Sequence, residues 1–181
     1  LAQIIRVAAM QRVTDIQGPI PYRTMENNDD LTAPYQSQEA VYGFMLEDLD
    51  HAVNVLETYI TLAGTDVVAE AASADYVYNG NLAKWIRFAN SLKLRMAMRL
   101  VYAAPATAEQ RAKEAVDTTD GKLGVMTSND DNAQLSGINV NPFYKVAYEY
   151  NGGETRISAD LLNYMKSWND PRISAYAKKS T

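Results

Sequence analysis

Tyr144, Tyr148 and Tyr150 fall within one short stretch, followed at once by Asn151 and a few residues later by Arg156. A tyrosine ring joins an apolar face to a hydroxyl, so it can stack on a sugar ring or settle into a protein interface. Asn151 and Arg156 add hydrogen-bonding groups beside the rings. These five residues form the candidate ligand-binding set, in a segment whose loop character suits function, with plain packing as the competing reading. The chain has 12 tyrosines and two tryptophans. Those at helical-period positions, such as Tyr42 and Tyr102, read as packing residues.

Catalytic chemistry is harder to assemble. There are no cysteines and one histidine, which excludes disulfides, thiol catalysis and cysteine-ligated zinc. His51 falls on an acidic helix face with Glu47, Asp48 and Asp50 and reads as a solvated side chain, since a general base needs a positioned partner. Asn151-Gly152-Gly153-Glu154 lacks the lysine and the spacing of a phosphate-binding loop. Glycosidase carboxylates are defined by separation in space, not by spacing along the chain. The reading is therefore a protein that is not an enzyme, with no cofactor and no metal. Asn28-Asp29-Asp30 and Asn129-Asp130-Asp131-Asn132 offer oxygen ligands, but neither has the calcium-loop spacing with a closing glutamate. Both read as solvated loop or capping residues.

The net charge is −5 and the basic residues are dispersed outside one helix, which argues against a nucleic-acid surface. No apolar run reaches the roughly 18 residues of a membrane span. The chain opens on Leu1-Ala2-Gln3-Ile4-Ile5, already in helical period and with no signal peptide before it. It reads as a piece of a longer protein, with any export signal or lipid anchor outside it.

The elements that must hold the tyrosine segment are helical. Leu1 to Val13 has Leu1, Ile4, Ile5, Ala8 and Arg12 on one side, and stops at a Thr14–Tyr22 segment with Gly18, Pro19 and Pro21. A long polar loop runs to about Pro34. Ser37 reads as an N-cap with Glu39 in the first turn, and Val41, Met45, Leu49, Ala52, Leu56 and Ile60 form a stripe that ends at Ala63-Gly64-Thr65. Asp75 to Ala103 opens with the turn Asn79-Gly80-Asn81 and carries Leu82, Trp85, Ala89, Leu92, Met96 and Leu100 on one face. Ile86, Leu94, Ala97 and Val101 widen that arc, which predicts burial on more than one side. Lys93 lies inside the apolar sweep and predicts an ion pair with a neighbouring helix or a stem reaching to water. Arg87, Arg95 and Arg99 predict pairing with acids of an adjacent helix.

After Pro105, Thr107 and Gln110 suggest a capping box for a helix through Val116. The stretch from Val125 to Gly153 is irregular, and Ser158 caps a last helix with Leu161, Leu162, Met165 and Trp168 on its face, closed by Asn169-Asp170-Pro171-Arg172. The fold class is all-α, with helical hairpins suggested by the short connection between two long amphipathic helices.

The longest of these segments carries a resemblance. Tyr78-Asn79-Gly80-Asn81-Leu82, followed by Lys84 to Arg99 (KWIRFANSLKLRMAMR), resembles the signature of the SusD/RagB family of outer-membrane glycan-binding lipoproteins. Gln11–Asp15 leading to Gly18–Tyr22, Pro34–Glu39 with Val41-Tyr42 and Asp48–Asp50, and Asn169–Arg172 resemble it in the same order. Where the family often carries an acidic residue and an aromatic around the first turn, this chain has Pro19 and Ile16.

The resemblance implies tetratricopeptide-like helical hairpins (an α-α superhelix) with long irregular loops, in one partial domain over 1–181. Its hairpin scaffold would span 1–116, and a loop-rich part with a further helix 117–181. It implies non-catalytic capture of an oligosaccharide at the outer membrane's extracellular face and delivery to a SusC-like TonB-dependent transporter. Membrane association would run only through a lipid anchor outside this chain. A protein-binding helical adaptor, or a peptide-binding member of the same family, is the alternative; an α-helical glycoside hydrolase is a third. No ligand residue is carried over from the family.

Overall fold

The structure, a computed structural model, describes residues 1–26, 32–135 and 142–177. The chain forms two compact units, Leu1–Ser136 and Gly137–Thr181. The first is an all-α stack in which α1 (Ala2–Gln17) packs on α2 (Gln38–Ala63), and α2 on α4 (Leu82–Arg99). The short α3 (Ala69–Ala72) precedes α4, and α4 packs on α5 (Pro105–Val116). These are the tetratricopeptide-like hairpins of an α-α superhelix.

α1 runs four residues beyond Val13, because Gly18 and not Thr14 supplies the stop. Gly18 adopts φ 78°, its N–H donates to the Thr14 carbonyl at 2.8 Å, and the Thr14 hydroxyl donates back to the Gly18 carbonyl at 2.6 Å. The buried face is Ile4, Val7, Gln11 and Thr14, whereas Ile5 and Arg12 are exposed. The stripe predicted from apolar residues alone is thus rotated. Ion pairs from Arg6 to Asp48 and from Asp15 to Arg99 help set that rotation, and two polar residues turn inward with it. The loop after α1 is tied down. Ile20 and Gln36 exchange backbone hydrogen bonds, and the Gln36 side-chain oxygen accepts the N–H groups of Tyr22 (3.0 Å) and Arg23 (2.7 Å). Asn28, Asp29 and Asp30 lie outside the described residues.

α2 has the predicted caps: the Ser37 hydroxyl accepts from the Ala40 N–H, and Gly64 closes the helix at φ 65°. It buries Val41, Met45, Leu49 and Leu56. α3 was not signalled by the sequence; four residues rich in alanine carry no readable period. α4 is buried on more than one side, with Leu82, Trp85, Ala89, Leu92 and Met96 inward and Ile86 and Ala97 buried on the flank. Lys93 is the predicted ion pair: its Nζ lies 2.6 Å from Asp50 Oδ1 of α2, and Arg111 of α5 reaches Oδ2 at 2.8 Å. Arg87 pairs with Asp131 and Arg99 with Asp15, while Arg95 is exposed without an ion pair among the described residues.

α5 begins at Pro105 rather than at a Thr107 cap. Proline suits the first helical position, so the helix needs no capping box; Thr107 is inside the first turn, and the Gln110 amide donates to Glu114. The turn into α4 is organised by Asp75. Its Oδ1 accepts the N–H groups of Val77 and Tyr78, and its Oδ2 those of Gly80 (2.9 Å) and the Trp85 indole (2.7 Å). Gly80 is required there: φ is +79°, and a Cβ would lie 2.3 Å from the Val68 carbonyl oxygen. Asn81 then caps α4 by accepting from the Lys84 N–H.

The second unit holds a helical turn α6 (Pro142–Tyr144), a π turn Lys145–Glu149, a 3₁₀ turn Tyr150–Gly153, α7 (Ala159–Ser167) and α8 (Ile173–Tyr176). Ser158 caps α7, accepting from the Leu161 N–H. Of the face predicted for α7, Met165 is buried and Leu162 half-buried, but Leu161 and Trp168 are exposed. α7 ends at Ser167, so Trp168 lies past the point where helical spacing decides its direction.

Candidate aromatic binding surface

The predicted tyrosines lie on consecutive turns of the second unit. Tyr144 ends α6 and Tyr148 lies in the π turn that continues it, so the two are a helical turn apart. Their rings stack with centroids 4.9 Å apart at an interplanar angle of 28°. Both are about half exposed, so the stack presents area to solvent while each ring restrains the other. Tyr150 opens the next turn, which packs on the first, and its ring is largely exposed. Asn151 lies in that turn. The Thr155 hydroxyl donates to the Val146 carbonyl at 3.0 Å, fastening the segment that carries the exposed Arg156 to the turn that carries Tyr148. The structure therefore joins Tyr144 and Tyr148 directly, and keeps Tyr150 and Asn151 in the adjoining 3₁₀ turn and Arg156 in the irregular segment that follows it.

A second aromatic pair escaped the sequence reading. Tyr164 and Trp168 of the α7 segment stand with ring centroids 6.3 Å apart at 44°, both exposed. Their four-residue spacing was the available signal. Trp168 was instead assigned to packing. Tyr102, also read as packing, is 99% exposed because it lies in the turn after α4, whereas Tyr42 is buried as expected.

The polar clusters of the first unit are occupied in holding the scaffold. Asp48 is 2% exposed and accepts hydrogen bonds from the Tyr22 hydroxyl (2.5 Å), Arg6 (2.5 Å) and Arg23 (2.6 Å). Burial pushes its carboxyl up, but the hydrogen bonds from Tyr22 and Arg6 and the charges of Arg6 and Arg23 outweigh it and hold it below the usual range. Burial, then the Asp48 carboxylate, drives the Tyr22 phenol well above its ordinary value. A polar cavity of about 340 Å³ beside Lys93 has its charges matched internally, Lys93 and Arg111 on Asp50 and Lys122 on Asp117. His51 is exposed, as expected.

The Asn129–Asn132 cluster is a capped turn. Ser128 accepts from the Asp130 N–H, and buried Asp131 accepts from the Thr127 N–H and pairs with Arg87. Its backbone carbonyl takes the Tyr78 hydroxyl, and burial with the charges of Asp131 and Asp75 pushes that phenol up to about 12. Among the described residues no group of three His, Cys, Asp or Glu side chains is placed to hold a metal ion, and no helix is long and apolar enough to cross a membrane.

Helical hairpins followed along the chain by a unit of exposed, paired aromatics define a protein of the tetratricopeptide-like all-α class. The comparisons make it specific. A family model described as "Susd and RagB outer membrane lipoprotein" matches residues 1–181, and the chain belongs to this SusD-like family. A SusD homologue from Bacteroides uniformis is 44% identical with a TM-score of 0.81, the match covering 97% of this chain and 35% of that one. A chitin-binding SusD homologue from Flavobacterium johnsoniae is 40% identical with a TM-score of 0.82, covering 95% of this chain and 34% of that one. A homologue from Bacteroides ovatus is 44% identical with a TM-score of 0.82, covering 99% and 34%. The chain thus spans about a third of the length of the solved structures it matches. No curated protein matches it.

Proposed function

We propose that this chain is part of a non-catalytic SusD-like lipoprotein that binds an oligosaccharide at the outer face of the outer membrane and delivers it to a SusC-like TonB-dependent transporter. The whole chain belongs, on this reading, to one SusD-like domain. The observation that carries it is the exposed Tyr144–Tyr148 stack within a chain of this family. A sugar ring has an apolar C–H face and a hydroxyl edge. The stack offers the complementary face, and Tyr150, Asn151 and Arg156, which follow it along the chain, carry the hydrogen-bonding groups in this proposal. Because one relative is described as chitin-binding, chitooligosaccharides are the first ligands to try.

The test is isothermal titration of the full-length protein against chito-, cello- and maltooligosaccharides. Tyr148→Ala and Tyr144→Ala are each expected to raise Kd about tenfold, roughly 1.4 kcal/mol. Binding unchanged in both variants would move the site off this loop. Absence of any glycan binding, with no barrel transporter co-purifying, would overturn the function itself.

A further inference from the structure

The tripeptide Tyr-Asn-Gly occurs twice, as Tyr78-Asn79-Gly80 in the first unit and as Tyr150-Asn151-Gly152 in the second. An asparagine followed by glycine can modify itself. The glycine main-chain nitrogen attacks the asparagine Cγ, and glycine has no Cβ to obstruct the approach. The two copies share the reacting pair and the residue before it, so the fold decides which of them reacts. Both glycines adopt positive φ, 79° and 67°, and backbone twist therefore does not separate them.

At the first copy the attacking nitrogen is engaged. The Gly80 N–H donates to Asp75 Oδ2 at 2.9 Å, and the Gly80 carbonyl accepts from the Val68 N–H at 3.0 Å. Gly80 is buried, with its main chain packed against the Val68 carbonyl and the Ala72 nitrogen. Attack requires the amide to lose its proton and its peptide plane to turn. A carboxylate bonded to that N–H opposes the first, because two negative charges would then face each other. Close packing opposes the second.

The second copy is open. Gly152 is exposed, and a Cβ there would meet nothing within 4 Å. It lies in the four-residue 3₁₀ turn Tyr150–Gly153, whose i→i+3 hydrogen bonds have the poorer geometry of that helix type.

We propose that Asn151-Gly152 is a self-modifying site at which Asn151 deamidates, while Asn79 in the same tripeptide is protected by Asp75. The Gly152 nitrogen forms a bond to Asn151 Cγ, the Cγ–Nδ2 bond breaks, and the amide leaves as ammonia, taking up the Gly152 N–H proton. Water then opens the succinimide. Addition at Cγ gives aspartate; addition at the main-chain carbonyl carbon gives isoaspartate, which routes the main chain through the side chain. No oxidant or reductant takes part. Either product places a new carboxylate in the turn that Tyr150 opens. Asn151 also belongs to the sugar-binding set proposed above, but this reaction needs no ligand and stands whatever the chain binds.

The experiment is peptide mass mapping of the full-length protein after incubation in warm, mildly alkaline buffer, folded and in urea. In the folded protein the Asn151 peptide is expected to gain the mass of an amide-to-acid change and to become a substrate for isoaspartyl methyltransferase. The Asn79 peptide should change about tenfold more slowly or less, since Gly80 must first open locally. In urea the two peptides should react at similar rates. Asn151→Gln should remove the folded-state product. The proposal is overturned if folded Asn79 reacts as fast as Asn151, if Asn151 stays intact while the unfolded chain reacts, or if the same difference persists in urea.

Discussion

Asp75 shows how much of this scaffold rests on single buried carboxylates. It accepts four hydrogen bonds, from three backbone N–H groups and the Trp85 indole. Burial pushes its carboxyl up, but those bonds prevail and hold it below the ordinary value. A group with a depressed folded pKa contributes stability that is fully present above its unfolded value and lost as pH falls through the folded one. The urea midpoint of the parent should therefore hold from neutrality down to about the unfolded value of 3.8 and then fall. Asp75→Asn should start lower and lose less over that acid range; an identical acid slope in both would remove Asp75 from the account. Asp75→Ala leaves the Trp85 and Gly80 donors buried without partners, at about 1–3 kcal/mol each. None of this was readable beforehand, since a lone aspartate before a turn has no spacing that announces four donors. Lys93 was readable, because a charge inside an apolar arc must find a partner.

At the scale of elements, α4 carries the core. Trp85 contacts Tyr78 edge-on at 5.3 Å and Phe88 at 6.0 Å, and Leu92 is buried further along the same face. Trp85→Ala or Leu92→Ala should cost about 2–5 kcal/mol, measured by denaturant unfolding. If either unfolds as the parent does, the inner-helix role is wrong. α2 and α4 were legible because long apolar stripes and strong caps agree with one another. α1 was legible as a helix but not in its facing, because its inward positions include Gln11 and Thr14 while Ile5 points out. The start of α5 was misplaced because proline at the first helical position and a threonine cap compete for the same few residues. In the second unit, periodicity placed Trp168 inward on a helix that had already ended.

At the scale of the molecule, the two compact units meet at Ser136–Gly137, twenty residues beyond the boundary after Val116 that the resemblance implied; charge-matched packing fills Leu1–Ser136, and paired exposed aromatics lie in Gly137–Thr181. The tyrosine segment was recognisable because its residue types repeat without a helical stripe to absorb them. Which rings pair was not, because ring–ring geometry depends on the π turn, and a single inserted residue in a helical turn leaves no mark in composition. Each unit also holds one of the chain's two tryptophans, Trp85 at 1% exposure and Trp168 at 72%. For the segment covered here, the molecule thus carries its own pair of optical probes. Trp85 should emit as a shielded indole and shift to the red only when the scaffold unfolds. Trp168 should be open to acrylamide quenching in the native state. With Trp168→Phe, nearly all quenching from this segment should vanish while the unfolding signal remains. Sugar that changes emission in the parent but not in that variant would report contact at the Tyr164–Trp168 pair.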